Sequence, residues 1–254
     1  MTYQTIQVRF QQSICYIQFN RPESNNSIND RMVEELHQVL VLCEESATVV
    51  VLEGSPDVFC SGGDFQEVRD KKVSGSQRED SPELLYDLLL KIAGGSYVTI
   101  SHVRGRANAG GMGFVAASDI VIADQKALFS LSELLFGLFP ACVLPFLIKK
   151  VGSHKANYLT LTTQPINVEK AYSWGLVDEY DVKSETIIRK HLLRLRYLSK
   201  AGIARYKSYT NSLDDTLLKS KPLAVEANNK MFSDTNVLEG IARFVENGTL
   251  PWKS

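Results

Sequence analysis

Twice in this 254-residue chain an apolar strand runs into a pair of glycines. Val49-Val-Val-Leu-Glu-Gly54 leads through a turn to Phe59-Cys-Ser-Gly-Gly-Asp-Phe65, and Val98-Thr-Ile-Ser-His-Val103 leads to Gly105-Arg-Ala-Asn-Ala-Gly-Gly111. A glycine pair lets the backbone bend tightly and approach a ligand closely, because no Cβ intervenes. One such pair signifies only a turn, and neither has the spacing of a P-loop or a dinucleotide fingerprint. Two strand-then-glycine units constrain the fold far more: they are weak internal repeats, as a stacked architecture gives. After the second pair, Met112 to Ser118 has the composition of a short helix. Its N-terminus would aim unpaired N–H groups and a partial positive charge back into the loop. That arrangement suits an anion formed only during a reaction, such as the enolate of a thioester. A further strand, Asp119 to Asp124, and the segment Ser130-Leu-Ser-Glu-Leu-Leu135 then bring in a carboxylate, Glu133.

The rest of the chain supplies a frame. Thr5–Phe10 and Ile14–Phe19 alternate with period two and form an antiparallel hairpin. Asn29-Asp30 caps a helix carrying Met32, Val33, Leu36, Val39, Leu40 and Leu42 at helical spacing. Val49 to Leu52 is apolar on both faces, as in a strand covered on both sides. Val68 to Pro82 is polar and aperiodic, a surface loop. A helix over Glu83 to Ala93 presents Leu84, Leu85, Leu88 and Leu89. Helices follow at His154–Thr162 and Val168–Trp174, a strand near Leu176–Val182, and one long helix over Glu185–Arg205. A net charge of −1 with 22% charged residues gives no electrostatic case for nucleic acid. Mean hydropathy is −0.10, and no apolar run is long enough to span a membrane. The N-terminus has neither signal nor transit character, which points to the cytoplasm. Four cysteines (Cys15, Cys43, Cys60, Cys142) show no metal spacing, so no metal site is expected, and Cys60 stands beside the proposed loop.

Phe59-Cys-Ser-Gly-Gly-Asp64, Ala109-Gly-Gly, and Phe129-x-x-x-Glu133-x-x-x-Gly137 together resemble the crotonase (enoyl-CoA hydratase/isomerase) superfamily. Arg21-Pro22-Glu23 through Asn26, Ala171-x-x-x-Gly175-Leu-Val-Asp178, Phe232-Ser-Asp234 and Glu239-Gly240-x-x-x-Phe244 match it too. The resemblance implies an α/β crotonase fold: a ββα superhelix over residues 1–190 and a helical region, 191–254, that makes trimer or hexamer contacts. Phe232, Ile241 and Phe244 are the apolar residues expected between subunits.

In that family two backbone N–H groups form an oxyanion hole, at positions matching Gly63 and Gly110. Two glutamates handle water and the α-proton; the second matches Glu133, but the first falls on Gly113. Ser24, Asn25, Gly62, Asp64, Phe65, Tyr86 and Gly111 are the implied substrate-binding positions. Taken alone, Glu133 reads as a first-turn helix residue, Tyr86 as a core residue, and His102 as a packed, hydrogen-bonded histidine; the order of motifs favours catalysis for Glu133. Arg69, Lys71 and Lys72 are a solvated face or contacts for a phosphopantetheine phosphate or an acidic carrier. Val98–Gly105 and Ser130–Phe146 resemble the dehydratases of polyketide β-branching cassettes, as in bacillaene-type assembly lines. That subgroup dehydrates 3-hydroxy-3-methylglutaryl on an acyl carrier protein to 3-methylglutaconyl. It works between a hydroxymethylglutaryl synthase and a sister decarboxylase, with no cofactor beyond the phosphopantetheine or coenzyme A that carries the substrate. The sister decarboxylase, or a crotonase-fold protein kept for assembly without turnover, are the alternatives.

Overall fold

The computed structural model describes residues 3–74 and 81–252. Its frame is a six-stranded sheet of Ile6–Gln11, Ile14–Phe19, Val49–Glu53, Val98–Val103, Ile120–Asp124 and Glu179–Asp181, side by side in that order. The first pair is the antiparallel hairpin, and every other pairing is parallel. Val49, Val50 and Val51 have no exposed surface, as a central strand covered on both faces requires. The helix Asp30–Ser46 starts where its cap indicates, with Asn29 Oδ1 accepting from Met32 N–H at 2.9 Å. Its apolar stripe is buried through Leu40, but Leu42 is exposed.

A second sheet has no counterpart among the sequence expectations. Val58–Cys60, Arg106–Asn108 and Leu128–Ser130 pair in parallel, and Ile166–Asn167 adds an antiparallel edge. Strands this short carry too little periodicity to announce themselves. They reveal three repeats, each a strand of the large sheet, a strand of the small sheet and a helical turn. These run from Val49–Glu53 and Val58–Cys60 to the helix Phe65–Ser74, and from Val98–Val103 and Arg106–Asn108 to the helix Gly110–Ala117. The third runs from Ile120–Asp124 and Leu128–Ser130 to a 3₁₀ turn, Glu133–Phe136. The expected ββα superhelix is therefore present, with one more turn than the glycine pairs signal. Parallel neighbours lie about 4.8 Å apart, so the ends of the three short strands emerge together. Gly63, Gly110 and Glu133 follow those ends.

Elsewhere the chain departs from the expectations. The segment from Val68 is not loop at its start: Phe65–Ser74 is helical, Asp64 Oδ1 accepts from Glu67 N–H at 3.1 Å, and Val68 is buried. Residues 75–80 of that expected loop lie outside the described residues. The helix Ser81–Gly94 buries Tyr86, Leu88, Leu89 and Ile92, and leaves Leu84 exposed. The long helix over Glu185–Arg205 is two, Ser184–Leu195 and Lys200–Leu213, since Ser199 starts the second by capping Gly202 N–H at 3.0 Å. Ile241 and Phe244 pack within the chain on the helix Thr235–Asn247, in a cluster with Val68, Phe136 and Phe65. Ile241 has no surface left for the expected subunit interface, whereas Phe232 and Phe244 are only half-buried. Among the described residues no helix is long and apolar enough to cross a membrane.

The strand Ile120–Asp124 is anchored at its start by Asp119. Asp119 Oδ2 accepts from the Thr99 N–H at 2.7 Å, the Thr99 hydroxyl at 2.9 Å and Lys207 Nζ at 2.7 Å, and Lys207 is 5% exposed. Asp119→Ala strands that ammonium without its carboxylate. It is expected to lower the unfolding free energy by about 3 kcal/mol in urea titration; an unchanged midpoint contradicts this.

Candidate active site

The first glycine loop meets the second backbone to backbone. Gly62 has φ +103°, and a Cβ built there would lie 2.6 Å from Ala109 Cβ and 3.3 Å from Gly110 N. A side chain on Gly111 would lie 2.6 Å from Cys60 O. Only glycine permits these approaches. Gly63, by contrast, faces open space, its loop held by Ile28, whose N–H donates to Gly62 O at 2.7 Å and whose O accepts from Asp64 N–H at 2.9 Å. Among the described residues neither the Gly63 nor the Gly110 N–H has a hydrogen-bond partner. Gly110 is the first residue of its helix, where the dipole adds a partial positive charge. Ala109, just before it, has φ +50° and ψ −122°. For a residue with a Cβ that backbone is strained by about 1–3 kcal/mol. Two free N–H donors on adjoining loops can stabilise a negative charge that develops on a bound ligand.

Glu133 opens the 3₁₀ turn after the third short strand. Its Oε2 is shielded from solvent and has no hydrogen-bond partner among the described residues. Burial raises its pKa to about 7, against a slight opposite pull from the Glu133 and Ser132 N–H groups. A carboxyl poised there gives and takes a proton near neutral pH. The plain interpretation of Glu133 as a first-turn residue is also true, yet it leaves the unpartnered oxygen unexplained.

The remaining predicted residues divide. Asp64 is tied up by Arg21 Nη2 at 2.8 Å and the Ser27 hydroxyl at 3.1 Å. Burial pushes its pKa up, but Arg21, Glu67 N–H and Ser27 together hold it below the usual value. It braces the loop and is not turned to a ligand. Asn25 is exposed with φ +54°; Ser24 touches the first loop through its carbonyl, which accepts from the Ser61 hydroxyl at 3.5 Å. Phe65 stacks edge-on against Phe136, centroids 4.8 Å apart. Tyr86 is a core residue: it has no exposed surface, and its hydroxyl donates to Leu217 O at 2.7 Å. Lys71 is paired with Asp30 and Glu67, and Arg69 with Asp70. Neither offers a free charge to a phosphate, and the Lys72 side chain lies outside the described residues. His102 is packed as expected, Nδ1 on Glu53 Oε1 at 3.0 Å and Nε2 on Ser184 Oγ at 2.9 Å. Cys60 is inert, its thiol pushed up to about 12 by burial.

Two features escaped sequence inspection. One is the side chain of Asn108, hidden in a three-residue strand. The other is the surroundings of Gly113. A Cβ there would meet Leu89 Cδ1 and Val143 Cγ2, each at 3.2 Å, so the place of the missing glutamate is walled by apolar atoms.

This fold and site define an enoyl-CoA hydratase/isomerase: the model of that family matches residues 9–254, and the chain belongs to it. It is an enoyl-CoA hydratase-like dehydratase, a carbon–oxygen lyase. PksH of Bacillus subtilis strain 168, a bacillaene synthase dehydratase, is 59% identical over 254 residues, covering 100% of this chain and 98% of that protein. The crystal structure of Bacillus subtilis PksH aligns with a TM-score of 0.95, covering 98% of this chain and 99% of that one. The mitochondrial enoyl-CoA hydratase of Pongo abelii is 29% identical over 243 residues, 92% of this chain and 81% of that protein. An enoyl-CoA hydratase/isomerase from Mycobacterium paratuberculosis shares the fold at 22% identity, with a TM-score of 0.87 over 96% of this chain and 100% of that one.

The raised pKa of Glu133 has a signature in stability. Unfolded, its carboxyl ionises near 4.5; folded, near 7. Below pH 4.5 both states are protonated and nothing is lost. As pH rises toward 7 the unfolded chain ionises first and the native state is penalised by up to about 3 kcal/mol. Glu133→Gln lacks this penalty. It is expected to gain stability over the parent between pH 4 and pH 8, measured by denaturant titration. A difference independent of pH contradicts the burial argument.

Proposed function

We propose that the chain dehydrates 3-hydroxy-3-methylglutaryl carried on an acyl carrier protein to 3-methylglutaconyl, in polyketide β-branching. The observation that carries this reading is that three neighbouring short strands lead to two free N–H donors and to Glu133, whose Oε2 is buried and unpartnered among the described residues, while a Cβ at Gly113 would meet Leu89 and Val143. The identity to PksH supports the substrate class.

The chemistry follows. The ionised Glu133 removes a proton from the carbon next to the thioester, and the electron pair moves onto the thioester oxygen. The Gly63 and Gly110 N–H groups stabilise that oxyanion, preorganised and so without reorganisation cost. The enolate then collapses: its electrons form the carbon–carbon double bond as the tertiary hydroxyl departs. Glu133, now neutral, returns its proton to that hydroxyl, which leaves as water. One carboxylate suffices if proton and hydroxyl depart from one face. No metal or redox cofactor enters this reading; the phosphopantetheine of the carrier, or coenzyme A, holds the substrate. The sister decarboxylation needs the hole but not Glu133. Intact-mass measurement on the loaded carrier protein separates the readings: loss of water supports dehydration, whereas loss of carbon dioxide or no change overturns it.

Glu133→Gln keeps size but cannot accept the proton. Dehydration should fall ~10²–10⁴-fold, in kcat more than in KM. Gly113→Glu should also lower the rate, since it forces a carboxylate among apolar side chains. A wild-type rate in Glu133→Gln contradicts the assignment.

The same resemblance supports a homotrimer or a hexamer. Exposed Tyr206, Tyr209, Leu213 and Leu223 on the C-terminal helices, with Tyr197 in the turn before them, offer apolar surface for a second copy to cover. A monomer by light scattering at micromolar concentration contradicts this assembly.

A further inference from the structure

We infer that Asn108 is a positioning residue for this dehydration, its amide fixing the spacing between the oxyanion hole and the base. The inference rests on the assignment of Gly63, Gly110 and Glu133 just given. Asn108 Nδ2 donates to Ser61 O at 3.2 Å and to Ser132 Oγ at 2.9 Å, and Oδ1 accepts from the Ser130 hydroxyl at 2.7 Å. Ser61 leads into Gly62-Gly63, Ser132 leads into Glu133, and Asn108 itself leads into Ala109-Gly110. One planar group thus touches all three segments that carry the proposed chemistry. Its orientation is decided by the partners: a carbonyl oxygen only accepts, so the NH₂ must face Ser61.

The backbone does not make this link. The second and third short strands stay in register to Asn108↔Ser130, and the Ala109 N–H donates to Ser130 O at 3.0 Å. The first and second are irregular between Val58 and Cys60, and their ladder stops at Cys60↔Ala107. Past that point the Asn108–Ser61 bond carries the pairing on. Ile28 holds the first loop by two backbone bonds, but it has no described bond to the Glu133 turn. Glu133 Oε2 has no partner, and the carboxylate is otherwise held only by the N–H groups of Ser132 and Glu133 themselves, so its aim depends on where the Ser132 backbone stands. Misplacing a catalytic group by about 1 Å lowers a rate ~10²-fold.

The test uses the full chain with 3-hydroxy-3-methylglutaryl-loaded carrier protein. Asn108→Leu keeps the volume and loses every bond. Asn108→Asp keeps the shape but sets an oxygen against Ser61 O. Both should lower kcat ~10–100-fold with KM changed less than about threefold. In a Glu133→Gln background the same changes should have less than about a twofold effect, because no base remains to be misplaced. Ser130→Ala, which removes one bond, should give a smaller loss with the same kcat–KM split, and serves if the Asn108 variants do not fold. Wild-type kcat in both Asn108 variants overturns the inference, as does a loss that multiplies unchanged onto Glu133→Gln. If Glu133→Gln itself turns over at the parent rate, the base assignment fails; if only the Asn108 variants are unaffected, the positioning role alone fails.

Discussion

Everything proposed for this chain depends on two polypeptide loops meeting with no side chain between them. The parallel pairing of Val58–Cys60, Arg106–Asn108 and Leu128–Ser130 delivers three chain ends to one place. Close packing then demands glycine where Cβ atoms would collide, at Gly62 and Gly111. The outcome is a pair of amide groups held by strands, a bridge to Ile28 and a strained Ala109, not by contact with each other. Donors fixed in this way need no rearrangement when charge arrives, which is the condition for electrostatic catalysis.

Two carboxylates near these loops show how environment divides labour. Asp64 is buried but surrounded by Arg21, Ser27 and the Glu67 N–H, so it stays ionised and braces the loop. Glu133 is half-buried with one enclosed oxygen unanswered, and desolvation raises its proton affinity to the neutral range. The first arrangement favours the ionised form, whereas the second disfavours it at a cost in stability. At Gly113 a Cβ would meet the apolar side chains of Leu89 and Val143 first, surroundings that disfavour a second ionised group.

Much of this was legible in the sequence because it rests on local signals. The Asn29 cap, the apolar strand at Val49, the hairpin and the two glycine pairs each follow from residues within one short window. Glu133 was legible only through the order of motifs, since a glutamate in a first turn has a plain explanation. What stayed hidden depends on distant contacts. The three-residue strands are too short for periodicity, so the second sheet and the role of Asn108 had no local trace. Tyr86 carries the right chemistry for a substrate contact, yet a carbonyl at Leu217, far along the chain, claims its hydroxyl. The same holds for Ile241, whose apolar side chain was equally compatible with a subunit contact and with the cluster around Phe136 that takes it.

Glu133 is proposed to form the enolate in the hole, and enolisation can be watched apart from dehydration. A carrier protein loaded with 3-methylglutaryl has the α-hydrogens but no hydroxyl to expel. Incubated with the enzyme in deuterium oxide and followed by mass spectrometry, its α-position should exchange with the parent enzyme. Exchange should fall at least ~10²-fold with Glu133→Gln, and should vanish with Gly110→Pro, which deletes a hole donor. Exchange that proceeds equally well in Glu133→Gln, or that the parent enzyme does not promote, contradicts the account.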